Sequence, residues 1–382
     1  MNSKHGVTSP AQAEDRNGIR TGIGTPGRTA FRPSKGLSGR PVVLLLPALT
    51  ALLLTGCLPS CQPRQSNALF PSDSLSRQIA AETPVGTLRL VWQAGTAEVP
   101  GMEHPRTALF GPDGRLYVSD TAQDRIFVFG PDGSLSEELA LPAFQHPYLA
   151  GFRADTLLVF NPAAGRIDFV SQGAVRRTID LPVRAPEGAF QYVAVSDSAV
   201  YLKTIAEGEE GSLVVLDEGG KVLRTEILEG PYWRYAGGLR VQDDTLYSLS
   251  GYRPVVDVLA PGAPLDTLAL VGFDSPMLAR SRQFVLGQVD EAPLLTASAV
   301  PVGDSLFVLN VRPGWLRVDV YDRQGRLRRI LTQENPEFDR AFYPMDLAVR
   351  QSGPGIYDFA VISAGGDLPR VWLHRWRSQD NP

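Results

Sequence analysis

Residues 104–135, HPRTALFGPDGRLYVSDTAQDRIFVFGPDGSL, contain the pattern that decides the fold. Two Pro-Asp-Gly turns, at 112–114 and 131–133, bracket short apolar runs at 115–118 and 125–129. These residues favour tight turns because proline presets φ, aspartate accepts hydrogen bonds from nearby backbone N–H groups, and glycine tolerates a positive φ. The stretch therefore predicts a turn, a strand, a loop, a second strand and a second turn, as in an antiparallel sheet.

The same pattern recurs along the chain. Counted from Tyr117 in the LYV triplet, the equivalent positions are separated by 41, 43, 46, 60 and 50 residues. A four-stranded propeller blade takes about 40 to 50 residues, so the spacing predicts six blades and an insertion near residues 273–295. A β-sandwich is the alternative, but a sandwich does not keep an internal register between neighbouring units. The six positions are Tyr117, Leu158, Tyr201, Tyr247, Phe307 and Tyr357.

Residues 104–135 resemble an NHL repeat, and the whole chain resembles the six-bladed β-propeller lipoproteins of bacterial envelopes. The expected fold class is therefore all-β, a six-bladed β-propeller over residues 84–382. The last blade lacks a fourth strand unless strand Thr87–Trp92 pairs with Arg370–Trp376. We predict this pairing because an open ring would expose two sheet edges to aggregation.

The N-terminal residues predict secretion and lipid attachment. Residues 42–54 form an apolar run that is too short to span a bilayer, which is typical of a signal peptide core. Residues 1–56 are thus expected to be a signal peptide with a long N-terminal extension. The sequence Leu54-Thr55-Gly56-Cys57 resembles a bacterial lipobox, which implies cleavage before Cys57 and lipidation of its thiol.

The residues that follow Cys57 suggest how the domain is displayed. Residues 57–83 are rich in Pro, Ser, Gln and Ala and are predicted to be a flexible tether between the lipid and the propeller. Leu58 is not the Asp associated with inner-membrane retention, which favours the outer membrane. The expected location is therefore the bacterial cell envelope, on its periplasmic side, with the chain anchored through its N-terminal lipid.

Charge and cysteine content exclude several functions. Residues 1–56 hold seven of the 37 Lys and Arg residues and two of the 41 Asp and Glu residues, so the mature chain is acidic. It has no basic run that would neutralise phosphates, which excludes nucleic acid as an expected partner. The chain has only two cysteines, so lipidation of Cys57 would leave no disulfide within the mature monomer.

Candidate site residues follow from the repeat. The segments that precede each innermost strand, and the loops between second and third strands, should meet at one face, which we call the entry face. An unidentified small ligand or partner protein would bind there by ring stacking and Arg–carboxylate pairing. The plainer alternative is that these residues only fix the entry of each strand. The predicted ligand-binding residues are His104, Arg106, His146, Tyr148, Tyr192, Tyr235, Arg253, Arg312, Trp315 and Tyr343.

Two further sets of residues at this face have specific expectations. The insertion is predicted to form a rim over the site, with Arg280, Arg282 and Gln283 reaching toward a ligand. Asp120, Asn161 and Asn310 recur at one position of the repeat, and a residue that several blades share is expected to serve the fold by binding loop backbone.

The sequence favours a binding or scaffold module over an enzyme. It contains no nucleophile elbow, no phosphate-binding loop and no Cys pair with metal spacing, so no catalytic residue, metal or cofactor is assigned. The alternative is a hydrolase or lyase with a metal at the mouth, similar to lactonases or amidating lyases. A zinc site of three histidines would need His104, His146 and His374, and His374 is expected too far out on the last blade.

Overall fold

The computed structural model describes residues 73–95, 101–182, 185–312, 314–340, 342–363 and 369–378. The predicted signal peptide, the lipobox with Cys57 and the first part of the predicted tether lie outside these residues. Within the described part of the chain, no helix has the length and apolar character needed to cross a membrane.

The described chain is almost entirely strands joined by tight turns. Two helices occur, α1 (Asp73–Glu82) and α2 (Leu278–Val285), together with a 3₁₀ turn at Tyr232–Tyr235. The strands are β1 (Val85–Ala94), β2 (Pro105–Phe110), β3 (Leu116–Asp120), β4 (Arg125–Phe129), β5 (Leu135–Leu139), β6 (Tyr148–Arg153), β7 (Thr156–Asn161), β8 (Arg166–Ser171), β9 (Ala174–Asp180), β10 (Phe190–Val195), β11 (Val200–Ile205), β12 (Gly211–Leu216), β13 (Val222–Leu228), β14 (Leu239–Gln242), β15 (Thr245–Ser250), β16 (Val255–Leu259), β17 (Asp266–Ala269), β18 (Thr296–Val302), β19 (Ser305–Asn310), β20 (Arg317–Tyr321), β21 (Leu327–Gln333), β22 (Pro344–Gly353), β23 (Ile356–Ser363) and β24 (Arg370–Arg377).

These strands form a propeller-like arrangement of sheets. Strands β2–β5, β6–β9, β10–β13 and β14–β17 make four antiparallel sheets of four strands each. The remaining strands make one eight-stranded sheet in the order β18-β19-β20-β21-β1-β24-β23-β22. Strands β2, β6, β10, β14, β18 and β22 contact one another in that order, and β22 contacts β2 again. The inner strands therefore close a circle, which confirms an all-β propeller type of fold.

The N-terminal strand β1 joins the two ends of the chain. It pairs antiparallel with β24, with Arg89 opposite Arg375 and Trp92 opposite Leu373, as the sequence predicts. Its first residues also pair in parallel with β21, where Leu88 lies opposite Gln333. The sequence did not reveal this second pairing. It uses the other edge of β1 and merges the last two sets of strands into one sheet.

Helix α1 is a feature that the sequence analysis did not anticipate, since residues 73–82 belong to the predicted tether. Ser76 and Ala80 are buried and Ile79 is half-buried, a spacing of three and four residues that places them on one helical face. Ala80 belongs to the core cluster that contains Phe273, and Ile79 packs against that cluster. The helix is therefore docked on the propeller by apolar contacts.

The Pro-Asp-Gly turns form where the sequence places them. Asp113 and Asp132 accept the N–H groups of Arg115 and Ser134 at 3.0 and 3.1 Å. Gly133 has φ +84°, and a Cβ at this position would lie only 2.6 Å from the Trp92 ring. The turn thus needs glycine both for its backbone conformation and for the close approach of β1.

We predict that β1 stabilises the fold through its buried face. Leu88 is fully buried in the core whereas Leu90, on the same strand, is 55% exposed. Leu88→Ala should lower the free energy of unfolding by about 3 kcal/mol because it leaves a cavity, and Leu90→Ala should change it by less than about 0.5 kcal/mol. Urea denaturation of the two variants measures the difference, and equal effects would contradict the closing role of β1.

Candidate functional site

Four tyrosines converge at the entry face of the propeller. Tyr148 begins β6, Tyr192 lies on β10, Tyr343 directly precedes β22, and Tyr252 lies in the loop between β15 and β16. Burial raises the pKa of Tyr192 strongly, and the hydroxyls of Tyr252 and Tyr148 raise it further. Burial also raises the pKa of Tyr252, with contributions from Tyr232 and Tyr343. We call Tyr148, Tyr192, Tyr252 and Tyr343 the tyrosine mouth, and its phenols are neutral at pH 7.

Arg106 supplies a positive charge beside the tyrosine mouth. Its side chain is half-buried on β2, and it acts on the pKa of both Tyr148 and His104. The pKa of His104 is lowered by burial and then by Arg106, whereas Asp120 opposes this shift. Within the described residues the Arg106 guanidinium makes no hydrogen bond or ion pair, so its donors remain available to a ligand.

Other predicted site residues are held by the protein itself. The guanidinium of Arg253 is buried and donates to the Arg234 carbonyl at 2.9 Å and to Ser250 Oγ at 3.3 Å. The Tyr235 hydroxyl donates to the Glu229 carbonyl at 2.8 Å. These groups therefore stabilise the loops around the mouth, and the structure does not direct them into the opening.

Three more predicted residues are engaged by other parts of the protein. Arg312 donates to the Asp274 carboxylate at 3.0 Å. Trp315 is 38% exposed and packs against the Phe338 ring with centroids 5.9 Å apart. His146 is exposed with φ +52°, and its backbone N–H donates to the Asp124 carboxylate at 2.7 Å. Electrostatic contacts link Arg106 with His104 and Tyr148, and Tyr252 with Tyr192 and Tyr343.

The insertion contributes to the core as well as to the surface, so it is more than the surface rim that the sequence predicts. Phe273 and Leu278 are buried in the cluster that also contains Leu295, so replacing the whole segment would remove core side chains. The exposed side chains of α2 include Arg280 and Gln283. On the inner side of the insertion, Phe284 packs edge-on against Trp233 with centroids 5.1 Å apart.

A buried lysine lies beneath the tyrosine mouth, and sequence reasoning missed it. Lys203 on β11 is fully buried; its Nζ donates to Ser248 Oγ at 2.9 Å and lies 4.8 Å from the centre of the Tyr192 ring. Burial lowers its pKa to about 7, although Asp257 opposes the shift. Burial in turn raises the pKa of Asp257, whose carboxylate accepts the Thr267 hydroxyl at 2.7 Å.

The recurring polar residues serve the fold, as their repetition indicates. Asp120 accepts the backbone N–H groups of Glu103 and His104 at 2.6 and 3.0 Å. Asn161 and Asn310 each donate at 2.8 Å to a buried aspartate on the next strand, Asp168 and Asp319 respectively. Arg125, which follows Asp120 in the same blade-like sheet, forms an ion pair with Glu138 at 2.9 Å.

The central channel is crossed by one ion pair. Arg240 on β14 places Nη2 at 2.7 Å from both carboxylate oxygens of Asp346 on β22. Asp346 also accepts the backbone N–H of Ala108 on β2 at 2.9 Å. Three inner strands are thereby tied together inside the ring, and the pair divides the entry face from the opposite end.

A cavity of about 720 Å³ opens at that opposite end. Arg240 lies at its base, and Phe110, Phe152, Val300 and Arg350 are part of its wall. The Arg350 guanidinium is occupied, because it donates to the Asp358 carboxylate at 3.1 Å and lies over the Phe110 ring. Sequence reasoning considered only the entry face and did not foresee this cavity.

Potential metal ligands are dispersed in the described structure. Across the residues that the structure describes, no three His, Cys, Asp or Glu side chains come together in a way that could hold a metal ion. His374 lies in β24, where burial lowers its pKa to about 4. The three-histidine zinc site of the amidating-lyase alternative is therefore not formed among the described residues.

The chain has only low similarity to known proteins. No protein family model and no curated protein matches the chain. Among solved structures, a catalytically inactive virginiamycin B lyase from Staphylococcus aureus with quinupristin is 12% identical over 75% of this chain and 88% of that chain, with a TM-score of 0.47. The calcium-binding protein regucalcin from Agrobacterium tumefaciens is 14% identical over 78% and 98%, with a TM-score of 0.47.

A third solved structure, glutaminyl cyclase from Myxococcus xanthus, is 12% identical over 77% of this chain and 98% of that chain, with a TM-score of 0.38. Similarity at this level transfers no activity, substrate or site residue. The function proposed below therefore depends on the residues of this chain alone.

Lys203 leads to a prediction about stability and pH. Unfolded lysine holds its proton up to about its ordinary pKa of 10.5, whereas folded Lys203 releases it near 7. Between these values the unfolded state binds more protons, so the free energy of unfolding rises with pH. From pH 7 to pH 9 we expect wild type to gain about 2 kcal/mol relative to Lys203→Met.

Urea denaturation at the two pH values measures this gain. Lys221→Met is the matched control because Lys221 is exposed, and it should follow the wild type. A Lys203→Met protein with the wild-type dependence on pH would show that Lys203 is charged in the folded protein.

Proposed function

We propose that this protein is a lipid-anchored, extracytoplasmic binding module whose tyrosine mouth takes a small ligand with a flat ring and a carboxylate. The observation that carries the proposal is the Arg106 guanidinium, which is half-buried beside Tyr148 and makes no ion pair in the described residues. An arginine in such a place favours a carboxylate, because its planar donors match the carboxylate oxygens.

The tyrosines fit the rest of such a ligand. Neutral phenol rings offer apolar faces for stacking and hydroxyls for hydrogen bonds. The raised pKa values of Tyr148, Tyr192, Tyr252 and Tyr343 keep negative charge away from the opening. The ligand class that follows is an aromatic or sugar carboxylate, or the acidic end of a partner protein.

We infer that the scaffold is a six-bladed propeller. Six innermost strands contact one another in a circle, and each begins a run of consecutive antiparallel strands. In this interpretation the eight-stranded sheet consists of two blades, one formed by β18–β21 and the other by β22–β24 with β1. The short parallel pairing of β1 with β21 joins the two blades. A circle of six also agrees with the six repeats in the sequence.

Ligand selectivity tests the site. Benzoate and its uncharged analogue benzamide are the probes, and saturation-transfer difference NMR on the mature chain measures their binding. Wild type should prefer benzoate, and Arg106→Gln should remove that preference because the pairing cation is gone. Arg176→Gln, on the exposed outermost strand β9, is the matched control and should bind as the wild type does.

A second variant separates the two ends of the channel. Gln351 is exposed at the rim of the opposite cavity, and Gln351→Trp should narrow that cavity without touching the tyrosine mouth. Benzoate binding that survives Arg106→Gln and disappears in Gln351→Trp would place the ligand at the opposite end and contradict the proposal.

The lipid anchor is inferred from the sequence around Cys57, and one substitution tests it. Cys57→Ala should prevent lipid attachment, because Cys57 is the cysteine that follows the apolar run and the Leu-Thr-Gly motif. Each buried methylene of an acyl chain contributes about 0.8 kcal/mol to membrane attachment, so the variant should leave the membrane fraction. Labelling with radioactive palmitate measures the modification, Cys61→Ala is the control, and labelled Cys57→Ala protein would overturn the lipoprotein assignment.

A further inference from the structure

The outermost strand β13 presents an unprotected sheet edge. It is the last strand of its sheet, and Val222, Leu223 and Ile227 are 44%, 59% and 55% exposed. A terminal strand carries unpaired backbone N–H and C=O groups that can pair with another chain. Three exposed aliphatic side chains on seven residues add apolar surface to this edge.

Other outermost strands of the described sheets are protected by charge, length or a covering strand. Strand β5 carries Glu137 and Glu138, and β9 carries the exposed Arg176 and Arg177. Strand β17 has only four residues, and β21 is covered in part by β1. Charges and short strands are the usual protection against edge pairing. Strand β13 also carries two charged residues, Arg224 and Glu226, but they pair with each other, and it differs from its counterparts in its three exposed aliphatic side chains.

The sequence of β13 is complementary to itself. In VLRTEIL, an antiparallel pairing of two copies about Thr225 places Leu223 opposite Ile227 of the second copy. The same register places Arg224 opposite Glu226 of the second copy. Opposite residues of an antiparallel pair share one face of the sheet, so each apolar residue meets an apolar residue and each cation meets an anion.

We propose that β13 is a homodimer interface, in which two copies pair their β13 strands antiparallel about a two-fold axis through Thr225. The two four-stranded sheets then form one continuous eight-stranded sheet. A two-fold interface requires one surface patch to be complementary to itself. Strand β13 meets this requirement in the order of its apolar residues and in the order of its charges. The proposal is independent of the ligand at the tyrosine mouth.

The side chains of β13 are already held in place for this pairing. Arg224 forms an ion pair with Glu226 on the same face of the strand and donates to the Ala263 carbonyl at 2.6 Å. On pairing, two such ion pairs would lie side by side and form a four-membered network. Because a seven-residue edge buries less area than a standard stable interface, the dimer should be weak and depend on concentration.

A charge-swap series on the full chain tests the interface. The chain is kept in mild detergent with micelles in excess over protein, and sedimentation equilibrium gives its mass over about a hundredfold range of concentration. Wild type should approach twice the monomer mass. Arg224→Glu and Glu226→Arg should each stay monomeric, since like charges would face each other, and the double variant R224E/E226R should dimerise again.

Mixing the two single variants isolates the contact between copies. An equimolar mixture of R224E and E226R should form heterodimers, because every acidic position then faces a basic one. Each single variant has two like charges at positions 224 and 226 of its own strand, and mixing does not change this. A purely structural effect of the substitution would therefore persist in the mixture. Arg176→Glu on β9 is the matched control and should dimerise as the wild type does.

Crosslinking checks the register in the full chain with C57S and C61S. Thr225→Cys should form a disulfide dimer by itself, whereas Leu223→Cys should crosslink only to Ile227→Cys. A wild-type chain that is monomeric at every concentration would overturn the proposal. Pairing of β13 with a strand of a different protein, instead of a second copy, would overturn it too. A dimer that the charge swaps leave unchanged would overturn it as well.

Discussion

Strand β1 is the constraint on which the rest of the structure depends. It lies between β21 and β24, pairing with β21 through residues 85–88 and with β24 through residues 89–94. Its partners Ile330 and Arg375 are more than 200 residues away in the chain. Such long-range pairing forms late and slowly, so the circle of inner strands is completed only when the two ends of the domain meet.

Local chemistry explains why the strands and turns could be predicted from the sequence. The Pro-Asp-Gly turns need only residues within four positions, and Asp113 and Gly114 behave as the turn requires. The closing pair of β1 with β24 could also be predicted, because the last blade visibly lacked a strand. Helix α1 and the pairing with β21 could not be predicted, since both depend on which apolar surface the neighbouring sheets leave uncovered.

Prediction of the candidate site from the sequence has a similar limit. Position in the repeat placed Tyr148, Tyr192 and Tyr343 at the entry face, but it could not tell which way adjacent loop residues point. Tyr252 reaches the tyrosine mouth whereas Arg253, the next residue, is buried and donates to Arg234. That choice depends on packing between loops. The Arg240–Asp346 pair joins residues 106 positions apart, and no local pattern in the sequence connects them.

The distribution of charge supports the proposal that an anion binds at the tyrosine mouth rather than at the opposite end of the channel. Arg240 is neutralised by Asp346 and Arg350 by Asp358, so the opposite cavity holds paired charges. At the tyrosine mouth, Arg106 lies beside Tyr148, whose phenol burial keeps neutral, and Lys203 beside the Tyr192 ring loses its proton near pH 7. A half-buried cation without an ion-pair partner in the described residues attracts a carboxylate more strongly than a paired one, because no carboxylate of the protein offsets its charge. The same half-buried setting disfavours an uncharged ligand, which would leave the guanidinium without a partner.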